Sequence, residues 1–460
     1  MADILIKNAI VITMDGERRI LRDGAIRIEG NRIVEIGSTG DLERKHAANK
    51  VIDGARKVVM PGLVNAHTHL CYAFGRTLGY DNYLLDWLKI QKPLTAAFTP
   101  EDWEIAETLG CVENIKNGAT CVNELNIAAQ EAYEESVDER CLKSFEKTGV
   151  RAVLSRGYQD DKTYYFAAFG ESREDIVARM ERLVREWHGA AGDRIRIQLA
   201  PVTPWTCSPE LFRETRRMAD KHGIGIHLHT AETRDYDKLV KERFGYAGNV
   251  EYLDDVGCLG PDVQLNHAVW LSDADLARIA ATGTHCIHNP TSNMILASGV
   301  SPVPKMFALG INVGLACDGM ACNNNQDMIS TMKFASLLHK VHNLDPRAIT
   351  AQQVMEMATI NGARALGLDK DIGSLEPGKK ADLITIDLWK PHLVATLDVV
   401  GAVVYSANGS DVCDVIVDGE VIMEDRVIKT VDEADLLERT QRAAEDCLKR
   451  VGFTHLMVPQ

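Results

Sequence analysis

The chain has 460 residues, 45% hydrophobic and 25% charged, which supplies apolar surface for a sizeable core and excludes disordered, fibrous and collagenous classes. At that length one large domain plus a smaller one is expected. Lys+Arg 51 against Asp+Glu 66 gives a net charge of −15, without the basic footprint that phosphate backbones or anionic lipids require, so no nucleic-acid or membrane partner is expected.

The first residues lack a basic region followed by an apolar stretch and a cleavage site, and no apolar run approaches the ~18 residues of a spanning helix. A soluble, cytoplasmic protein is expected. The cysteines number 11, an odd count without a C-x-x-C pair, which fits reduced thiols better than a disulfide framework. Most are read as small buried hydrophobes, while Cys286, Cys317 and Cys322 lie beside polar clusters.

The first sixty residues read as short strands joined by turns, with strand texture at 4–6, 10–12, 24–28 and 33–36. The same texture returns at 381–387, 402–404, 415–417 and 421–423, with a turn at Asp418-Gly419. The two ends are expected to pair into one sheet. Between them, strand-like runs at 58–66, 119–123, 151–155, 195–201, 224–229, 263–267, 284–288 and 313–317 alternate with helix-length stretches such as 175–187, 209–222 and 273–282. Eight such runs argue for a parallel (β/α)8 barrel. The expected division is 1–58 with 372–460 in a composite β-sandwich domain and 59–371 in the barrel, with a charged surface helix at 432–450.

Barrel enzymes place their chemistry at the C-terminal strand ends, and metal-ligand side chains gather there. The first run ends in His67-Thr68-His69, whose imidazoles share a face because strand side chains alternate. The fifth ends in His227-Leu228-His229, followed by Glu232; the sixth ends in Asn266-His267; the eighth leads into Cys317-Asp318-Gly319. Imidazoles with one carboxylate suit zinc or iron and leave room for water. Such an ion lowers the pKa of its water from about 15.7 to about 7, supplying a nucleophile. Asp318 is read as the base that takes the water proton, and Glu232 as the acid that protonates a ring nitrogen of a heterocyclic substrate. His227, His285, His339 and His342 are read as hydrogen-bonded core or rim side chains. The run at 194–201 contains no lysine to bridge a second ion, so one metal is expected.

The motifs Pro61-Gly62-Leu63-Val64-Asn65-Ala66-His67-Thr68-His69, His229-Thr230-Ala231-Glu232, His288-Asn289-Pro290-Thr291-Ser292-Asn293 and Asp318-Gly319, with Gly373-Ser374-Leu375-Glu376-Pro377-Gly378-Lys379-Lys380-Ala381-Asp382-Leu383, resemble the amidohydrolase superfamily over nearly the whole chain. The branch is that of S-adenosylhomocysteine/methylthioadenosine deaminases, guanine deaminases and s-triazine hydrolases. The resemblance implies a (β/α)8 barrel with a β-sandwich from both chain ends. It implies one divalent metal, Zn2+ or Fe2+, on His67, His69, His229 and Asp318, with His267 a further ligand or a partner of the hydroxide. It also implies Glu232 as ring acid, and self-association.

Two departures weigh against a nucleoside substrate. Ala200-Pro201 is followed by Val202 rather than a ribose-contacting histidine, and no glutamate appears about nine residues after Trp87. Leu85-Asp86-Trp87-Leu88 and Val122-Asn123-Glu124 look closer to the s-triazine hydrolases, and Cys322 after the aspartate looks like their amine-releasing members. Trp87, Trp205 and Tyr158 are candidates for an aromatic wall, and Arg156 for a substrate contact. The expectation is a metal-dependent deaminase of a small aminated heterocycle (purine, pterin or triazine). Its alternatives are release of chloride, alkylamine or a carbamate or urea group, S-adenosylhomocysteine/methylthioadenosine deamination, or, in another class, a non-catalytic scaffold.

Overall fold

A computed structural model describes residues 3–45, 47–128, 136–162 and 169–454. Eight parallel strands run in sequence order through one sheet: Leu63–Thr68, Ala119–Asn126, Arg151–Tyr158, Ile195–Pro201, Ile226–Thr230, Val263–His267, His285–His288 and Val313–Leu315. The first and last meet beyond the sheet hydrogen bonds. The Cys317 amide donates to Asn65 Oδ1 at 3.0 Å, and the Asp318 amide to the His67 carbonyl at 3.1 Å. This closure brings Asp318 beside His67.

The helices form where caps and spacing predict them. Ser208 caps Pro209–His222, which has proline in its first turn and ends at left-handed Gly223 (φ 64°). Ser272 and Asp275 form a reciprocal capping box at the start of Asp273–Thr282. Asp432 caps Glu433–Arg450, which buries Leu436 and Cys447.

The two chain ends share one nine-stranded mixed sheet. Leu383–Asp387 runs antiparallel to Lys57–Pro61, with Leu383 opposite Pro61 and Asp387 opposite Lys57. The apolar run at 58–66 is therefore two strands, one in each sheet, split at Gly62. A Cβ at Gly62 would overlap the Thr120 side chain, so only glycine lets the chain pass there. Asp418 (φ 51°) and Gly419 (φ 80°) are both left-handed, as a two-residue type I′ hairpin turn requires. Arg151 of the third barrel strand grips Asp382 with two buried bonds of 2.7 and 2.9 Å, tying barrel to sheet.

The strand expected at 402–404 is instead part of the helix Val399–Tyr405, capped by Asp398. A short apolar run does not distinguish a buried strand from a buried helix, and packing decided it. Tyr405 Oη lies 2.9 Å from Ser336 Oγ on the helix Met328–Asn343. No helix among the described residues is long and apolar enough to cross a membrane. All eleven cysteines are free, and only Cys413 is not fully buried.

Candidate active site

Four strand ends converge as the alternation of side chains predicts. His67, His69 and His229 present nitrogen atoms within 4.8 Å of one another, and His67, His267 and Asp318 form a second such group that shares His67. Asp318 Oδ1 lies 3.4 Å from His67 Nε2 and 3.6 Å from His69 Nε2. The turns that deliver these groups carry left-handed backbone at Ala231 (φ 49°), His267 (φ 68°) and Asp318 (φ 65°). Non-glycine residues pay for that conformation, and such strain gathers where geometry is over-determined by function. Gly319 completes the turn because a Cβ there would come within 2.8 Å of the Tyr72 ring and 3.1 Å of His69 Cβ.

The hydrogen bonds fix which ring nitrogen faces inward. His69 Nδ1–H donates to the Leu125 carbonyl at 2.6 Å, and His229 Nδ1–H to the Val202 carbonyl at 2.9 Å. His67 Nδ1–H donates to His227 Nε2 at 2.9 Å, an acceptor that also receives the Asn266 amide at 2.9 Å. Three Nε2 lone pairs are thereby turned to one point. His67 Nε2 is buried without a hydrogen-bond partner, and the Nε2 atoms of His69 and His229 lie only 3.1 Å apart. Facing lone pairs repel in a buried site, so this donor set fits a cation held among them, with the outer bonds setting the tautomers.

Burial dominates the electrostatics. It pulls His67 down to about 4 and His69 down to about 3, and His229 lies well below its ordinary value for the same reason, reinforced by the neighbouring imidazoles. All three are neutral, which a metal ligand must be. Burial alone would raise the Asp318 carboxyl, whereas an imidazole of the cluster that carries a proton, His67 first, holds the group well below the carboxylate range. Asp318 Oδ2 accepts from Ser292 Oγ at 2.5 Å, and Oδ1 from the Gly319 amide at 2.7 Å. Burial pushes Glu232 up, against the lowering influence of His267 3.7 Å away. Its Oε2 accepts from Tyr236 Oη at 3.2 Å, while His267 Nδ1–H donates to Asn293 Oδ1 at 3.0 Å.

These groups floor a cavity. Trp87, Trp205 and Cys322 line it, as read from the sequence, together with His69, His229, Glu232, His267 and Asp318. Tyr158 and Arg156 do not. The Tyr158 side chain is buried away from the cavity, its hydroxyl 2.8 Å from Thr215 Oγ1 on the helix Pro209–His222. Arg156 is buried too, bonded to Glu171 at 2.5 Å and 3.4 Å from Asp138, so its charge is spent inside the fold. His227 is buried beside His67 as a bonded partner, His285 Nε2 bonds the Pro261 carbonyl at 3.0 Å, His339 lies 3.1 Å from His288, and His342 is exposed.

Sequence reasoning passed over Tyr72, Lys92, Gln159 and Tyr236, which also line the cavity. Lys92 was visible in principle. It stands four and eight residues after Leu88 and Leu84 on the apolar stripe of the helix Leu84–Ala96, where a lysine needs a reason. Behind His69, Glu124 Oε2 accepts from the Leu70 amide at 2.7 Å, and Glu107 faces it with both carboxyls fully buried. Burial raises both carboxyls, and their mutual repulsion adds to it for Glu124, so the pair holds a proton.

Residues 58–422 match the model of the amidohydrolase family, whose members depend on metal. The chain is 42% identical, over 98% of its length and 100% of the relative's, to 5′-deoxyadenosine deaminase of Methanosarcina mazei. A zinc-bound adenosine deaminase of Xanthomonas campestris superposes with a TM-score of 0.91 at 29% identity, covering 97% of this chain and 99% of that one. An atrazine chlorohydrolase of Arthrobacter aurescens also gives 0.91, covering 96% and 100%, but at 24% identity this likeness is one of fold. Sequence similarity thus favours the deoxyadenosine relatives over the triazine group.

Proposed function

The chain belongs to the amidohydrolase family, a hydrolytic enzyme of C–N bonds, and from that premise we propose that it deaminates a purine nucleoside of the 5′-deoxyadenosine type, releasing ammonia. The observation that carries this reading is the convergence of three inward Nε2 lone pairs and an ionised Asp318 on the floor of an aromatic-walled cavity that also holds Glu232. Trp87 and Trp205 both line the cavity and offer aromatic surface on which a flat heterocycle can stack.

His67, His69, His229 and Asp318 hold one divalent ion in this reading, with His267 a further ligand or a partner of the attacking water. Zinc suits the imidazole and carboxylate set, and iron(II) is the other ion that accepts it. When bound, such an ion makes water nucleophilic at neutral pH. Asp318 accepts the water proton and returns it to the departing amino group, its carboxylate fixed by Ser292 and the Gly319 amide. Burial favours the protonated form of Glu232, the form that donates to a ring nitrogen and draws electron density from the carbon under attack. Tyr236 orients that carboxyl through its other hydrogen bond. We further propose a cytoplasmic, self-associating enzyme, checked by cell fractionation and sedimentation.

The test is ammonia release by purified, metal-loaded protein from 5′-deoxyadenosine, methylthioadenosine, adenosine, guanine and aminotriazines. Turnover of the 5′-modified adenosines above the others is expected. Absence of ammonia from every adenine nucleoside would overturn the reading.

A further inference from the structure

Barrel interiors are ordinarily filled by branched apolar side chains. Below the metal-site floor this barrel is polar instead: Asn123, Ser155, Gln198, His227, Gln264 and Asn266, from the second to the sixth strand, are all buried. Register sets Gln264 beside His227 and Asn266 beside His229, and alternation keeps these four on one face while Leu228 and Leu265 take the other. Burying that many polar groups is unfavourable unless their hydrogen bonds are made, and here the bonds run in a fixed order.

The order starts from a backbone carbonyl. Asn266 Nδ2 donates to the Leu228 carbonyl at 3.1 Å and to His227 Nε2 at 2.9 Å. Turning that amide over would set its oxygen against the carbonyl, so the nitrogen stays in place even though Oδ1 is left buried without a partner. His227 Nε2 is thus the bare nitrogen, able to accept from His67 Nδ1–H, and the His227 proton sits on Nδ1. Gln264 Oε1 accepts that proton at 3.1 Å, and Gln264 Nε2 donates weakly to the Asp262 carbonyl at 3.4 Å. From Asp262 through Gln264 and His227 to His67, each group dictates the direction of the next.

Gln264 holds the balance at His227. Asn123 Nδ2, which donates to the Ala66 carbonyl at 3.2 Å, also lies 3.2 Å from His227 Nδ1. Without the Gln264 oxygen the Nδ1 proton has no acceptor and stands beside a donor. Moving it to Nε2 would put a proton against His67 Nδ1 and force the His67 proton onto Nε2, the nitrogen that faces the metal site. Gln264 itself is not among the described residues lining the active-site cavity; it borders a second cavity at the N-terminal strand ends, with His188, Arg196 and Gln198.

Resting on the metal-site reading above, we propose that Gln264 is a positioning residue for the metal centre, setting the tautomer of His67 through His227 from the far end of the barrel.

The experiment measures zinc affinity of metal-stripped protein by competition with a chromophoric chelator. Gln264→Met fills similar space without an acceptor and should weaken zinc binding by about tenfold, whereas Gln264→Glu keeps an oxygen toward His227 Nδ1–H and should stay near the wild-type value. In a His227→Leu background, where the relay is already cut, Gln264→Met should cost nothing further. Nitrogen-15 NMR of histidine-labelled, metal-free protein should find the His67 proton on Nδ1 in the wild type and on Nε2 in Gln264→Met. Gln264→Ala serves where Gln264→Met does not fold, as judged by thermal melting, and should give the same loss. Unchanged affinity in the folded variants, equal losses in Gln264→Met and Gln264→Glu, or a loss that adds to that of His227→Leu overturns the assignment while the metal site stands. If the wild type binds no zinc, the metal-site reading fails and takes this inference with it.

Discussion

The Nε2 atoms of His69 and His229 face each other at 3.1 Å while the Nδ1–H of each ring is committed to a backbone carbonyl. Neither ring can supply a proton to the gap without giving up its outer bond, so the gap is built for a cation. Chelation should therefore abolish activity and lower the melting temperature, and zinc should restore both at roughly one ion per chain. Elemental analysis of active protein checks this. His69→Ala and His229→Ala should each fail to retain the ion.

Glu232→Gln keeps the shape of the side chain and removes the acid. We expect kcat to fall by about 10²–10⁴ with the metal content unchanged, read by steady-state kinetics beside elemental analysis. An active variant would remove Glu232 from the chemistry.

His227 is not among the described residues lining the active-site cavity, yet its Nε2 accepts from His67 Nδ1–H at 2.9 Å and so selects the tautomer that faces inward. His227→Leu should weaken metal affinity about 10–100-fold in competition with a chromophoric chelator, and His227→Gln, which restores an acceptor, should recover part of it. A packing role alone would give equal losses in both variants.

Glu107 and Glu124 give a pH-dependent prediction whose sign follows from the direction of their shifts. An ordinary glutamate ionises near 4.3, whereas burial pushes Glu107 up to about 8. Between those values the folded chain binds more protons than the unfolded one, so this group makes stability fall as pH rises through that window. Glu107→Gln removes the penalty. The melting temperature of the variant relative to wild type should therefore climb from about pH 5 to about pH 8, and a difference independent of pH would show that the pair does not share a proton.

The parts of the fold legible in sequence were those with a local cause. Ser208-Pro209 and Ser272 start helices, Asp418-Gly419 makes a hairpin turn, and the His67-Thr68-His69 alternation puts two imidazoles on one face. Residues whose direction depends on what packs beside them were less legible. Tyr158 and Arg156 sit on the same strand as inward-facing neighbours, yet Thr215 and the Asp138 and Glu171 carboxylates claim their polar groups within the fold. The helix at Val399–Tyr405 replaced an expected strand because burial on several sides erases periodicity. Lys92 broke the pattern of an apolar stripe, and that kind of local conflict is where function resides.

The strand Lys57–Pro61 finds a neighbour in Leu383–Asp387, more than three hundred positions downstream, while Gly62 alone separates it from the barrel. Seen from the ribosome, the segment bearing the first two histidines emerges early but is moored on both sides only when synthesis is nearly finished. Trimming the tail back past Leu383 would consequently unfasten the start of the barrel from a distance, and should be felt as catalytic loss in a region the cut never reaches.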